Sequence, residues 1–378
     1  MPTKTIAARI KQLCCLGLGG QIIMPRLLKE LRKLVPGHET MFFWLDDEYK
    51  TSNICFESPI HAEIAPLYFT EFHYKRDAEV YPNFSEIEKL QPGVENWERW
   101  LKVDKWRFYR HDFYNLLHRQ ADMYHILSAV VREHGKAVGW LTISRAKNDP
   151  EFSDDDKATL TSVLPYLAHS LTPADDLQHL SWATDDEPRI IVLNPRGELE
   201  YASPQARKLL FLATHPQISP ATCDPKFGNP PVAVKLLYLY KNLRQVFEGE
   251  RHVLPPVQKH QNAWGKFILR AYWLHSFNPM GPPYVGVTIT HQAPLPIKLT
   301  LHPEKLPVPR TDVMLCLLLA GQEPYAVIAQ KLGMSEIAVV HRSKRLYETL
   351  GAQNRKEFVE KLRGTLEHPE STLQRPLF

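Results

Sequence analysis

Hydrophobic and polar positions follow one another along this chain with a period that changes several times, and each change marks an element. Between residues 5 and 35 apolar positions recur every three or four residues, interrupted by Gly17, Gly19, Gly20 and Pro25. Two helices broken at those glycines and at the proline are expected. Met41-Phe42-Phe43-Trp44-Leu45 is a short apolar strand, and Asp46-Asp47-Glu48-Tyr49 is a polar turn out of it. Ile126 to Val131 and Val138 to Ser144 flank the turn Glu133-His134-Gly135-Lys136 and predict a hairpin. Ser153 then caps a helix with Asp154, Asp155 and Asp156 in its first turn and Leu160, Val163, Leu164, Leu167 and Leu171 on its apolar face.

A boundary falls at Thr172-Pro173-Ala174-Asp175-Asp176. Arg189 to Leu193, the turn Asn194-Pro195-Arg196-Gly197 and Glu198 to Ala202 form a second hairpin, and Ser203 or Pro204 starts a short helix. A proline-rich loop follows, then a helix from about Val232 to Phe247 and strands Trp264 to Leu274 and Tyr284 to Thr290. Residues 293–305, with Pro294, Pro296 and Pro303, read as a semi-rigid linker.

Beyond the linker, residues 306–364 carry four helical runs. Pro309 starts the first, with Val313, Leu315, Leu317, Leu318 and Leu319 inward and Gly321 at its end. Pro324 starts the second, with Ile328, Ala329 and Leu332 inward. Gly333-Met334 is a tight turn and Ser335 caps the third helix. Val339, Leu346 and Leu350 form its inner stripe, while Val340, His341, Lys344, Arg345 and Glu348 face outward. Gly351 closes it, and Asn354 caps a fourth helix carrying Phe358, Val359 and Leu362. The tail, 365–378, reads as disordered.

Composition narrows the class. A chain of 378 residues exceeds one ordinary domain. With 44% hydrophobic and 23% charged residues it can build real cores. A net charge of +4 confines any nucleic-acid affinity to a local patch. Five cysteines, an odd number without CxxC spacing, fit a reducing, cytoplasmic compartment. Lys4, Arg9 and Lys11 before an apolar run mimic a targeting peptide, but glycines dilute the run and its period continues into RLLKELRKLV, so an ordinary first helix is expected. No uninterrupted apolar stretch is long enough for a membrane span.

Candidate chemistry is sparse. Residues 60–128 are rich in aromatics, which serve a ligand cavity, a core or a dimer contact equally well. Trp97, Trp100, Trp106 and Tyr109 are the candidate ligand-binding residues. His111, His118 and His125 recur every seven residues, a helix rise of about 10.5 Å that is too long for neighbours to share one metal ion. They are expected on one helix face, with no metal. HExxH, GxSxG, a phosphate loop and paired CxxC are absent, and GLGG at 17–20 lacks the strand–glycine–helix context of a nucleotide site, so neither an enzyme nor a cofactor is expected. His260 and His275 are expected on the surface rather than on a haem. The strand ending on two aspartates would suit a phospho-receiver domain, but EIEKLQPGVEN stands where its second buried strand should be, which leaves a hairpin turn.

Three resemblances organise these readings. Pro309-Arg310, Val313, Leu315, Leu318-Leu319-Ala320-Gly321, Ile328-Ala329, Leu332, Ser335, Val339, Leu346, Leu350-Gly351, Asn354-Arg355 and Val359 match, without gaps, the LuxR-type (NarL/FixJ-type) helix-turn-helix domain over about 55 residues. The resemblance implies that the third helix enters the DNA major groove, with Ser335, Val340, His341, Arg342, Lys344 and Arg345 as the DNA-binding set, and that a homodimer binds double-stranded DNA. The sequence departs from the family at Thr311, usually Glu; at Ala338-Val339-Val340, usually Thr-Val-Lys; and at Arg342, usually His. The strand–strand–FSDDD–helix pattern makes 1–172 resemble a GAF domain, a small-molecule sensor. That fold is also the shape of acyl-homoserine-lactone sensors, whose spaced Trp/Tyr/Asp/Trp signature has no counterpart here. Hairpin, small helix, long helix and returning strands make 185–292 resemble a PAS domain; Cys223 lacks the local sequence of a flavin-adduct cysteine. The expected architecture is therefore multi-domain: α/β (α+β) GAF-like and PAS-like sensory domains followed by an all-α four-helix helix-turn-helix domain. The expected function is a sequence-specific transcriptional regulator with an unknown small-molecule effector and no membrane partner. The alternative is a sensory or protein-interaction protein whose helix-turn-helix no longer binds DNA.

Overall fold

Alternation along residues 39–45 puts Met41 and Phe43 on one side of a strand and Phe42 and Trp44 on the other, and both sides are covered. In the computed structural model, which describes residues 3–89, 93–172, 180–185, 187–223, 231–250, 254–275, 281 and 283–367, this strand belongs to the first of two antiparallel sheets. The chain divides into two compact units, residues 1–173 with 188–289 and residues 174–187 with 290–378.

The first unit opens with α1 (Thr3–Cys14) and α2 (Gly20–Leu34). Residues 15–19 separate them, with Gly17 and Gly19 at positive φ. Pro25 lies inside α2, where a continuous apolar face of Ile22, Ile23, Met24, Leu27, Leu28 and Leu31 is buried around it. Strands β1 (Glu39–Leu45) and β2 (Thr51–Phe56) form a hairpin across the expected turn, with Tyr49 in the left-handed region. Short helices α3 (Ile60–Leu67), α4 (Phe84–Lys89) and α5 (Lys105–Phe108) cross one face, and strand β3 (Val94–Asn96), between α4 and α5, joins the sheet as an edge strand. The hairpin β4 (His125–Glu133) and β5 (Lys136–Arg145) completes a sheet of order β2-β1-β5-β4-β3. Ser153 caps α6 (Asp154–Thr161) in a capping box with Asp156. The expected single helix is split, because Pro165 near the start of α7 (Leu164–Ser170) has no N–H for the preceding turn.

Strand β6 (Trp182–Thr184) precedes the second sheet's hairpin, β7 (Arg189–Leu193) and β8 (Leu199–Ala202). Ser203 caps α8 (Pro204–Thr214), with Pro204 at the first helical position. Helices α9 (Pro220–Cys223) and α10 (Pro231–Phe247) lead to β9 (Val257–Asn262), β10 (Gly265–Leu274) and β11 (Tyr284–Pro294). The order β8-β7-β11-β10-β9 repeats that of the first sheet. Residues 1–172 and 185–292, expected as separate domains, contribute to one compact unit apart from 185–187 and 290–292.

The second unit pairs β6 with the end of β11, Ala183 opposite Ala293. The expected linker is instead the end of that strand and a helix, α11 (Leu295–Leu301), with Leu295, Ile297 and Leu299 buried. Its prolines are tolerated because Pro294 and Pro296 fall at the helix start, where no N–H is needed. Four helices follow: α12 (Val313–Ala320), α13 (Tyr325–Leu332), α14 (Glu336–Thr349) and α15 (Arg355–Glu367). Leu315, Leu319, Ile328, Val339, Leu346, Phe358 and Leu362 share one core with Leu295 and Leu299. Helix α15 runs through Glu367, past the expected start of the tail, because Leu366 is buried and the Glu367 carboxylate accepts the Thr184 N–H at 2.5 Å. Residues 368–378 of that tail lie outside the described residues. No helix among the described residues is long and apolar enough to cross a membrane.

Candidate functional site

One face of the first sheet is a cavity wall. Strand alternation sends Met41 and Phe43, Ile54 and Phe56, Ile126 and Ser128, and Trp140 and Thr142 to the same side. The register brings them together: Met41 lies opposite Phe56 and Thr142, Phe43 opposite Ile54 and Trp140, and Ser128 opposite Thr142. The crossing segments close over this wall with His61 and Ile64 of α3, Tyr68, His73, Tyr81, Phe84, Trp97, Phe113 and His118. The enclosed volume is about 150 Å³. Two π-helical turns, Tyr68–Phe72 and Tyr114–His118, bring Tyr68 and His118 to its edge. Such turns are rare and frequently mark functional sites.

The wall is apolar but carries buried polar atoms without hydrogen-bond partners: Trp97 Nε1, Thr142 Oγ1, His61 Nε2, His73 Nε2 and His118 Nδ1. An unsatisfied buried polar group costs about 1–3 kcal/mol, and these atoms belong to residues that line the cavity, where a polar group could pair with them. Burial pushes the imidazoles down, His61 to about 3 and His73 and His118 to about 4, and all three are neutral at physiological pH. Desolvation raises the Asp77 carboxyl to about 6 although it accepts the Lys75 N–H at 3.1 Å.

Of the four sequence candidates, only Trp97 lines this cavity. Trp100 is buried behind the wall, edge-on to Trp140 at 5.1 Å. Trp106 is 61% exposed beneath the Arg110 guanidinium. Tyr109 stacks on Tyr124 at 4.8 Å. The expected histidine stripe does not exist, because His111 sits in a turn, His118 in a π turn and His125 on β4. His61, His118, Ser128 and Thr142 were missed as site residues; the signal available was the polar Ser128 and Thr142 at inward positions of otherwise apolar strands.

The cavity wall is also a contact surface within the first unit. Lys208 of α8 donates from Nζ to the Phe56 carbonyl at 3.0 Å and to the Glu57 carbonyl, and Phe211 packs 6.3 Å from the Phe56 ring. Burial lowers the Lys208 ammonium to about 8. Asn53 Oδ1 accepts the Ile218 N–H at 2.8 Å, and Arg207 pairs with Glu63 at 2.9 Å.

In the second unit, Gly333 takes a left-handed conformation (φ 62°) that ends α13, and Ser335 Oγ accepts the Ala338 N–H at 3.2 Å to start α14. Val339, Ser343, Leu346 and Tyr347 point inward; His341, Lys344 and Arg345 are exposed and Val340 is half-buried. Arg342 does not join the exposed set: it turns back to pair with the Asp312 carboxylate and donates to the Thr311 carbonyl at 3.3 Å. Ile337, absent from the sequence candidates, is 83% exposed one turn before His341. Among the described residues one trio, Glu98, His125 and Glu151, brings ligand-type atoms within 4.8 Å of one another. That spread is loose for metal bonds near 2 Å, and Lys105 already pairs with Glu98 at 3.7 Å.

No protein-family model matches the chain, and no curated protein matches it. Several solved structures align with part of it, two of them as follows. The crystal structure of the GAF domain/HD domain protein from Geobacter sulfurreducens is 15% identical, with 41% of this chain and 93% of that chain covered and a TM-score of 0.30. The sensor region of a sensor histidine kinase is 16% identical, with 45% and 63% covered and a TM-score of 0.17.

Proposed function

We propose that this protein is a sequence-specific, DNA-binding transcriptional regulator controlled by a small-molecule effector. In this reading residues 1–172 form a GAF-like sensor around the aromatic cavity and residues 185–292 a PAS-like domain. Residues 306–364 form the helix-turn-helix, and two copies present two α14 helices to half-sites about one helical turn apart. The observation that carries it is the α13–turn–α14 geometry, in which a capped helix buries Val339, Leu346 and Tyr347 and turns His341, Lys344 and Arg345 outward. Lys344 and Arg345 would contact phosphates or guanine edges, and Ile337 or Val340 would touch a thymine methyl. The effector is bound and not turned over.

The test is a gel shift of the full chain on its genomic targets. Lys344→Ala with Arg345→Ala should abolish binding while the circular dichroism spectrum is retained. Wild-type affinity in that double variant rejects the assignment. A second reading, a protein-interaction module, is favoured by the pairing of Arg342 with Asp312 and by the exposed Ile337. It predicts no DNA affinity in the wild type and loss of a protein partner on Ile337→Ser.

A further inference from the structure

The cavity in the first unit is specific enough in size, wall chemistry and charge to name a class of ligand. Its volume, about 150 Å³, is that of a cavity known to admit a benzene-sized ring. Phe43, Phe84 and Trp140 form a chain of tilted rings along one side, with centroid separations of 5.7 and 5.2 Å. Tyr81 and Trp97 form another at 5.9 Å. Such walls favour a flat ring offered edge or face.

The polar atoms set the rest. Trp97 Nε1–H can only donate, so it requires an acceptor on the ligand. Thr142 Oγ1 can donate or accept, as can the neutral imidazoles of His61 and His118 according to tautomer. A negative charge on the ligand is selected against. Among the described lining residues there is no lysine or arginine, so a buried carboxylate would find no ion-pair partner in the wall, and it would meet the carboxylate of Asp77, the lining acid.

We propose that this cavity binds an uncharged, single-ring aromatic ligand that carries a hydrogen-bond acceptor, and that it excludes the carboxylate analogue of the same ring. The proposal rests on reading the cavity as the effector site. Trp97 and Thr142 are its specificity-determining residues: Trp97 binds the acceptor and Thr142 supplies the second hydrogen bond.

The experiment uses the full chain at pH 7.5 with acetophenone, phenol, toluene, benzoate and n-hexanol, read by thermal shift, titration calorimetry and quenching of tryptophan fluorescence. Acetophenone and phenol should raise the melting temperature, and benzoate should not. Trp97→Phe should weaken acetophenone about tenfold while toluene binding is unchanged; Thr142→Val, nearly isosteric, gives the same comparison if the tryptophan variant does not fold. Equal or tighter binding of benzoate overturns the class. If the aromatic probes fail but hexanol binds the wild type and not a cavity-filled Ala65→Leu variant, the ligand class falls and the effector-site reading stands. If no probe binds, both fall.

Discussion

At the scale of single residues, close packing makes the sharpest predictions. Gly139 of β5 sits opposite Trp44, and a methyl group there would run into the ring of Phe42, which is fully buried. Gly139→Ala should therefore destabilise the first unit by about 1–3 kcal/mol, the cost of an overpacked core; a denaturation midpoint equal to wild type would refute this. Buried imidazoles make a second prediction. His61 and His73 are held near 3 and 4, below the ordinary 6.5. Below pH 6.5 the unfolded chain takes up protons that the folded chain refuses, so stability is complete above 6.5 and is lost as pH falls toward 4 and then 3. The loss should approach 1.4 kcal/mol per pH unit for each ring. His61→Leu should make that slope shallower between pH 6 and 4.5 in urea titrations. These two histidines could not be picked out in the sequence, because nothing local distinguishes a buried ring from the exposed His134.

At the scale of elements, caps were legible and long-range partners were not. Ser153, Ser203 and Ser335 each cap the helix that follows, as the serine before an apolar period implies. The edge strand β9 was unreadable: VQKHQN has no apolar face, and only its pairing with β10 makes it a strand. The three-residue β6 is too short to carry a period. The proline-rich stretch misled for a definite reason, since a proline spaced for a linker is equally suited to a helix start. Arg355 shows an element held by a distant partner. At the start of α15 it donates to the Leu318 and Leu319 carbonyls near the end of α12 and to the Glu323 carbonyl beyond it, at 2.6–3.1 Å. The Leu318 and Leu319 carbonyls lie in the last turn of α12, where the regular helical donors run out, and they also accept the Glu323 and Gln322 N–H at 3.3 and 3.1 Å. Arg355→Lys keeps the charge but loses the fork, and should cost about 2–4 kcal/mol given about 1.5–3 kcal/mol per charged hydrogen bond. An unaltered thermal melt of the helical signal would show that the clamp contributes nothing.

For the molecule as a whole, the mixed α/β character and the positions of the main elements could be read from periodicity, but the division into units could not. Lys208 reaches carbonyls 151 and 152 residues earlier in the chain, and no pattern along the sequence announces such a contact. The proposed DNA complex carries its own whole-molecule prediction. With Arg342 committed to Asp312, each copy offers Lys344 and Arg345 as exposed cations on α14. A dimer then neutralises about four phosphates, and at about 0.9 per contact the log–log salt slope should be roughly −3 to −4. A slope near −8 would mean that DNA is held mainly by surfaces other than α14. The neutral ligand class proposed for the cavity has a consequence of a different kind. A compact neutral aromatic that can enter it loses little on leaving water and crosses a lipid bilayer unaided. If the protein is the effector-controlled regulator proposed above, it would report on the chemistry of the surroundings by simple partition, with no transporter or surface receptor between the signal and the gene.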